Sequence, residues 1–151
     1  MKAIDDYDVL YRQLDAMVGA EPDRIAALAN VAALLYHGLA DTNWVGFYLR
    51  DGDTLILGPF QGQVACTRIA LGAGVCGTAA ATGSTQRVAD VHEFAGHIAC
   101  DSASESEIVV PIQRGADVVA VLDIDSPRKD RFSIADQKGL ERIAQRLASV
   151  F

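Results

Sequence analysis

The segment VVAVLDI at residues 118–124 is the strongest strand signal in the chain, and it restricts the fold more than any other stretch. β-Branched residues at this density favour a strand within a sheet. A turn, RGAD at 114–117, precedes it, and a second strand-like segment, EIVVPI at 107–112, precedes the turn. Pro111 lacks the N–H that a strand ladder uses, so it is expected to break this second strand near its end. The two segments predict a β-hairpin.

Further strands are predicted earlier in the chain. NWVGFYLR at 43–50 alternates between two faces, and the turn DGD connects it to a returning strand, TLIL at 54–57. Gly58 and Pro59 are expected to end that strand. The remaining predicted elements are a strand at 64–69, a short helix of small residues that begins near Cys76, and a strand at 86–88.

Apolar residues at helical spacing predict two helices before the first strand and one after the last. The first covers about residues 5–18, and Pro22 suits the first turn of the second. Ser133 and Asp136 predict a capping box at the start of the closing helix. The apolar face of the second helix consists of Ile25, Leu28, Val31, Ala32 and Leu35. This order of elements predicts an α+β domain, a mainly antiparallel central sheet with helices packed on its faces.

Length and composition predict a single globular domain over residues 1–151, because 50% of the residues are hydrophobic and 22% are charged. A net charge of −7 argues against a nucleic-acid partner, since phosphate binding needs a basic surface. No apolar run approaches the roughly 18 residues of a membrane span, and no secretory signal is visible. Three cysteines do not fit a secreted disulfide scaffold. The expected location is the cytoplasm.

The long connection DVHEFAGHIACDSASESEI, at 90–108, is the first candidate for chemistry. Connections of this length inside a compact domain are usually functional or disordered, and its apolar residues argue against disorder. Cys100 lies at its centre, where it can act as a nucleophile or as half of a redox pair. A zinc site formed by His92, His97 and Cys100 is the rival interpretation, but no CxxC or HExxH spacing supports it. Composition alone favours buried core cysteines over either role.

A second group of candidates comes from the strands. Asp123 and Asp125 share one face of the strongest strand, where they either end the strand or hold a cation, an ammonium or a metal. They can also share a proton with a third acid, Glu107. Trp44 and Tyr48 share one face of the first strand and are either core residues or the walls of a pocket. The glycine between them, Gly46, is expected to leave an open space for a small ligand.

Seven motifs together resemble one known family: GPFQG at 58–62, ACTRI at 65–69, GVCGTA at 74–79, QRVADVH at 86–92, GHIACDSAS at 96–104, SEIVVP at 106–111 and VLDIDSP at 121–127. They are similar to those of the free methionine-R-sulfoxide reductases, which are enzymes made of a single GAF domain. The resemblance is strong over about residues 43–132 and weaker across the terminal helices. A GAF domain that serves only as a sensor is not expected to carry all three cysteine motifs.

The resemblance implies a role for each cysteine. Cys100 matches the catalytic nucleophile, Cys66 the principal resolving cysteine, and Cys76 a third cysteine with an auxiliary role. Ala73 departs from the pattern, because many relatives are expected to carry a basic residue there; this bears on substrate entry rather than on the reaction. The positions that match substrate-binding residues are Trp44, Tyr48, Glu107, Asp123 and Asp125.

The resemblance also implies a reaction. Cys100 attacks the sulfoxide sulfur of free methionine-R-sulfoxide and is left as a sulfenic acid, and Cys66 then closes a disulfide with release of water. A thioredoxin-type dithiol restores both thiols. No metal or organic cofactor is required, and a homodimer is implied, although the apolar faces can all be satisfied within one chain. The alternative interpretation is a GAF-type sensor of a small molecule or of redox state, without turnover.

Overall fold

The computed structural model describes residues 6–98 and 103–151. The helices and strands of these ranges follow one another in the order α1 (Tyr7–Ala20), α2 (Arg24–Gly38), β1 (Trp44–Asp51), β2 (Thr54–Gly62), β3 (Arg68–Ala70), α3 (Gly74–Thr82), β4 (Gln86–Val88), β5 (Ser106–Arg114), β6 (Asp117–Ser126) and α4 (Ile134–Leu147). Single 3₁₀ turns follow β4 at Val91–Glu93 and α4 at Ala148–Val150.

The strands form one six-stranded sheet in the order β3-β2-β1-β6-β5-β4, and every neighbouring pair is antiparallel. The predicted hairpin is β5–β6, which pairs from Ser106 opposite Ser126 to Arg114 opposite Asp117. The strand with the strongest sequence signal, β6, therefore lies inside the sheet between β1 and β5. The predicted α+β class and antiparallel sheet are confirmed.

The two faces of the sheet have different partners, because successive side chains of a strand point to opposite sides. One face packs against α1, α2 and α4 and forms the larger core, to which β1, β5 and β6 contribute residues such as Phe47, Ile108 and Leu122. The other face packs against α3 and forms a smaller cluster that includes Trp44 and Val121. The candidate site lies on this second face.

Two prolines do not end strands as the sequence predicted. β2 continues past Gly58 and Pro59 to Gly62, and its register with β1 shifts at this point, so that a bulge accommodates the proline. β5 continues past Pro111 to Arg114. β4 pairs with β5 only as far as Val109, so on that side Pro111 has no β4 residue to which an N–H would donate.

Three other local predictions also need correction. The strand predicted at 64–69 is reduced to β3, and Cys66 lies in the loop before it. Pro22 precedes α2 rather than entering its first turn, because Asp23 is the N-cap residue and accepts a hydrogen bond from the Ala26 N–H at 2.9 Å. Ile25 is 52% exposed and does not belong to the buried face of α2.

The start of α4 agrees with the sequence pattern. The Ser133 Oγ accepts a hydrogen bond from the Asp136 N–H at 3.1 Å, and the Asp136 carboxylate accepts one from the Ser133 N–H at 2.8 Å. This is the predicted capping box. None of the helices in the described ranges has the length and apolar character needed to cross a membrane.

Candidate active site

A pocket opens on the α3 face of the sheet, near the start of β1 and β5, the end of β6 and the first turn of α3. It encloses about 40 Å³ in which the centre of a water-sized molecule can lie. The residues singled out from the sequence that line it are Trp44, Tyr48, Ala73, Cys76, His97, Glu107, Asp123 and Asp125. Cys66 lies in the neighbouring loop, and Cys100 lies outside the described residues.

Strand register brings the three acids together. Glu107 on β5 is opposite Asp125 on β6, and Asp123 comes two residues before Asp125 on the same face of β6. On the other side of β6, Trp44 is opposite Asp125 and Gly46 is opposite Asp123. The strand-end interpretation is wrong for Asp123, which is only 6% exposed and comes three residues before the end of β6; Asp125 is the last residue but one of the strand.

Burial makes two of these acids, Glu107 and Asp123, hard to ionise. Burial raises the pKa of Glu107 well above its usual range, and the charge of Asp123 raises it further. Burial likewise raises the pKa of Asp123, with the charge of Asp125 as the second cause. The Asp123 Oδ1 atom is buried and has no hydrogen-bond partner among the described residues. The pocket thus presents carboxyl groups that hold protons more firmly than exposed acids do.

An aromatic wall faces the acids. The rings of Trp44 and Tyr48 stack with centroids 6.0 Å apart, and Trp44 also stacks on Phe60 at 5.2 Å. Each polar tip is hydrogen-bonded: the Trp44 indole N–H donates to the Gln63 carbonyl at 3.0 Å, and the Tyr48 hydroxyl donates to the Cys66 carbonyl at 2.9 Å. Both side chains are therefore fixed in orientation.

The open space predicted above Gly46 does not exist. A Cβ atom at this position would lie only 2.4 Å from the Phe60 Cβ and 2.6 Å from the Trp44 ring. The absent side chain makes room for these two aromatic groups rather than for a ligand. Phe60 was missed in the sequence because it follows Pro59, where the strand was expected to have ended.

The cysteines occupy different environments. Cys76, in the first turn of α3, is a free thiol and only 5% exposed. Burial raises its pKa well above the usual range, and the charges of Asp123 and Glu107 raise it further. Cys66 is disulfide-bonded, and its carbonyl holds the Tyr48 hydroxyl. A thiol held as firmly in its protonated form as that of Cys76 is a poor nucleophile.

The two histidines of the loop, His92 and His97, lie in different environments. The His97 Nε2 atom lies 3.9 Å from Glu107 Oε1, and His97 lines the pocket. Burial lowers the pKa of His97, and the charge of His92 lowers it further. His92 instead pairs with Asp90 at 2.9 Å and with Glu105 at 3.4 Å, and its side chain is 62% exposed. The rival zinc interpretation, with His92, His97 and Cys100 as ligands, includes a residue outside the described ranges.

The first turn of α3 contributes backbone groups to the pocket. Its N-cap residue, Ala73, makes no side-chain cap hydrogen bond, and Ala73, Gly74, Val75 and Cys76 all line the pocket. Gly74 has φ +62°, and a Cβ there would lie 3.1 Å from the Ile98 side chain. The N–H groups at a helix start favour a negatively charged ligand group. The sequence predicts this turn but does not indicate a binding role for it.

Comparison with known proteins gives one family. Residues 23–151 match the family model described as a GAF domain. The free methionine-R-sulfoxide reductase of Escherichia coli (strain K12) is 50% identical over 150 residues, which cover 99% of this chain and 91% of that protein.

Two solved structures of similar proteins hold substrate. The fRMsr of Staphylococcus aureus in complex with substrate has a TM-score of 0.92 and 47% identity, with 99% of this chain and 98% of that chain covered. The free methionine-R-sulfoxide reductase from Neisseria meningitidis in complex with its substrate has a TM-score of 0.94 and 43% identity, with 100% and 93% covered.

Proposed function

This chain belongs to the GAF-domain family of free methionine-R-sulfoxide reductases, and we propose that it reduces the R epimer of free methionine sulfoxide to methionine. The observation that carries the proposal is one buried pocket with a stacked aromatic wall, Trp44 and Tyr48, on one side and three acids on the other. Methionine sulfoxide has apolar methyl and methylene groups, a basic sulfoxide oxygen and an ammonium, and each of these has a complementary surface in that pocket.

The aromatic wall is suited to the methyl and methylene groups beside the sulfur. Trp44 and Tyr48 are each only 2% exposed, and their hydrogen bonds to the Gln63 and Cys66 carbonyls fix the ring planes. Ring faces of this kind bind sulfur and aliphatic groups through dispersion and S–aromatic contact. The wall thereby holds the sulfur in one orientation, which is a requirement for selecting a single sulfoxide epimer.

The acids are suited to the sulfoxide oxygen and to the substrate ammonium. Glu107 and Asp123 hold protons firmly because they are buried and lie beside other acids. A protonated carboxyl can donate to the sulfoxide oxygen and transfer its proton as the sulfur–oxygen bond breaks. An ionised neighbour can bind the ammonium. The start of α3 supplies N–H groups for the substrate carboxylate.

In the chemical step the oxygen is transferred from the sulfoxide sulfur to the Cys100 sulfur. The Cys100 thiolate forms a bond to the sulfoxide sulfur, and the sulfoxide oxygen receives a proton from the acid cluster. The resulting hydroxyl then passes to the Cys100 sulfur as the substrate's sulfur–oxygen bond and the new sulfur–sulfur bond both break. Methionine leaves as the thioether, and Cys100 is left as a sulfenic acid. Cys100 is oxidised from a thiol to a sulfenic acid while the sulfoxide is reduced to a thioether, so this step needs no other reductant.

The Cys100 sulfenic acid is then converted to a disulfide by a second thiol. The Cys66 thiol attacks the sulfenic acid, a disulfide forms and water leaves. The disulfide-bonded state of Cys66 supports its part in such a cycle, and the hydrogen bond from Tyr48 to the Cys66 carbonyl ties its loop to the pocket wall. A dithiol of the thioredoxin type then reduces the pair. Cys76, buried and protonated, serves as an auxiliary thiol.

The same groups explain why the substrate is free methionine sulfoxide. A residue within a peptide chain lacks both the ammonium that the acids bind and the carboxylate that the α3 turn binds. The buried pocket also leaves little room for flanking peptide. We further propose that the protein works in the cytoplasm, where thioredoxin-type dithiols are available, and that it forms a homodimer.

Consumption of racemic free methionine sulfoxide by the purified protein with dithiothreitol, followed by chiral separation, tests the reaction. The expected result is loss of the R epimer alone, so that consumption stops near half of the total. Cys100→Ser is expected to abolish turnover, while a peptide that contains methionine sulfoxide is expected to remain unreduced. Binding of the R epimer without any turnover would refute the reductase and favour a GAF-type sensor.

A further inference from the structure

One thiol and two carboxyl groups of the pocket converge from three different elements. Cys76 Sγ of α3, one carboxylate oxygen of Glu107 of β5 and one of Asp123 of β6 all lie within 4.8 Å of one another. The three residues are 5%, 7% and 6% exposed. The larger core on the opposite face of the sheet fixes β5 and β6, so this convergence is built into the fold rather than into an exposed surface.

The distances suit a metal ion after small side-chain movements. Zn–S and Zn–O bonds of about 2.3 and 2.1 Å place the ligands of a tetrahedral zinc ion roughly 3.4–3.6 Å apart. Rotations that move the donor atoms by roughly 1 Å therefore close the site. The space of about 40 Å³ in the pocket exceeds the roughly 10–15 Å³ that one water needs, so an ion and a bound water both fit.

An independent observation points to a ligand at this place. Asp123 lines the pocket, and its Oδ1 atom is buried and has no hydrogen-bond partner among the described residues. Leaving such an atom unsatisfied is costly, so it marks a position where a cation or a donor is expected. His97 Nε2, 3.9 Å from Glu107 Oε1, is available as a further ligand on the loop side.

The donor set selects the class of metal. A thiol, two carboxylates and an imidazole nitrogen suit Zn²⁺ and its chemical analogues Co²⁺ and Cd²⁺, whereas Mg²⁺ and Ca²⁺ prefer oxygen alone. We propose that the pocket binds a zinc-class divalent cation through Cys76, Glu107 and Asp123, and that this cation and the sulfoxide exclude each other. The mutual exclusion of metal and sulfoxide rests on the proposed function, because the same acids bind the substrate. The binding of the metal is independent of the proposed function.

A variant with a single thiol tests the metal site directly. In Cys66→Ser/Cys100→Ser, Cys76 is the only remaining cysteine, so a thiolate-to-cobalt absorption band reports this residue alone. Titration with Co²⁺ is expected to give one equivalent of bound metal with that band, which Zn²⁺ then abolishes by displacement. Adding Cys76→Ser is expected to remove the band, and adding Glu107→Gln or Asp123→Asn to weaken Co²⁺ binding at least tenfold.

A second cluster provides the matched control. Asp90, His92 and Glu105 also offer donor atoms within 4.8 Å of one another, and of these three residues only His92 is exposed. His92→Asn in the same single-thiol protein is expected to leave the band and the stoichiometry unchanged. Absence of the band in a folded protein, or its loss with His92→Asn, overturns the proposal. Circular dichroism and the fluorescence of Trp44, the chain's one tryptophan, verify folding in each variant.

Competition is measured in the same variant, which binds but cannot turn over. Methionine-R-sulfoxide is expected to abolish the cobalt band, whereas the S epimer, which chelates free Co²⁺ equally well, is expected not to. If Trp44 fluorescence shows that the R epimer binds metal-free protein but the band persists, mutual exclusion is refuted. If the R epimer fails to bind at all, the proposed function fails, and the cobalt titration still decides the metal site.

Discussion

Replacement of Glu107 by glutamine is expected to stabilise the protein at neutral pH while it removes activity. Glu107 is 7% exposed, and burial together with the charge of Asp123 holds its pKa well above the ordinary value of 4.5. An acid whose pKa is raised by folding keeps its proton longer in the folded state than in the unfolded chain. Its contribution to stability is therefore lost as the pH rises from about 4.5 to the folded-state pKa.

The magnitude follows from the number of such acids. Each such acid lowers the free energy of unfolding by about 1.4 kcal/mol per pH unit between its unfolded-state and folded-state pKa. Where these pH ranges overlap, Glu107 and Asp123 together lower it by about 2.7 kcal/mol per pH unit. Glutamine is a neutral isostere of the protonated acid, so the variant should gain about 1.4 kcal/mol over wild type for each pH unit above 4.5 in that window. His97 acts with the opposite sign below about pH 6.5, because its pKa is lowered, but this contribution is common to both proteins.

Urea unfolding at pH 5, 6, 7 and 8 under one reducing condition measures this difference. Glu93→Gln makes the same chemical change at an exposed position of the loop and should follow wild type at every pH. Turnover of methionine-R-sulfoxide by Glu107→Gln is expected to fall by about 10²–10⁴, the range typical for loss of a general acid. Parallel stability profiles for wild type and Glu107→Gln would refute the reasoning, because they would mean that burial does not hinder ionisation of this group.

Three further changes have defined outcomes. Tyr48→Phe removes the 2.9 Å hydrogen bond to the Cys66 carbonyl and is expected to cost about 1 kcal/mol in urea unfolding and to slow disulfide formation, measured by stopped flow, more than sulfoxide reduction. Cys66→Ser is expected to accumulate the Cys100 sulfenic acid in a single turnover, detected by mass after dimedone trapping; an unmodified Cys100 would contradict the proposed order of steps. Ser133→Ala removes a capping-box partner of α4 and is expected to cost about 1 kcal/mol of stability without changing turnover.

The sequence was most informative where a single periodicity decides the outcome. Alternation in β6 placed Asp123 and Asp125 on one face, and helical spacing placed Leu28 and Leu35 on the buried side of α2. The same alternation put Trp44 and Tyr48 together on β1. These assignments depend only on the local repeat of a strand or a helix, which neighbouring elements do not alter.

Local patterns failed where strand pairing decides the outcome. Pro59 and Pro111 were expected to end strands, but a bulge in one case and the end of β4 pairing in the other remove the need for their N–H groups. The contact between Phe60 and Gly46 depends on the β1–β2 register, which no local repeat specifies. His97 and Ile98 line the pocket, which brings His97 near Glu107, and the sequence neighbours of His97 do not indicate this contact.

The division between the two faces of the sheet explains how the fold tolerates buried acids at all. Isolated carboxyl groups in a core are destabilising, yet Glu107 and Asp123 alternate along β5 and β6 with Ile108, Leu122 and Ile124, which are fully buried in the larger core on the opposite face. Because that core holds the strands in register, changes to the pocket side chains should alter chemistry before they alter folding. Because the reactive groups lie on the second face of the sheet, neutralising one of the acids is expected to stabilise the protein and to reduce its turnover at the same time.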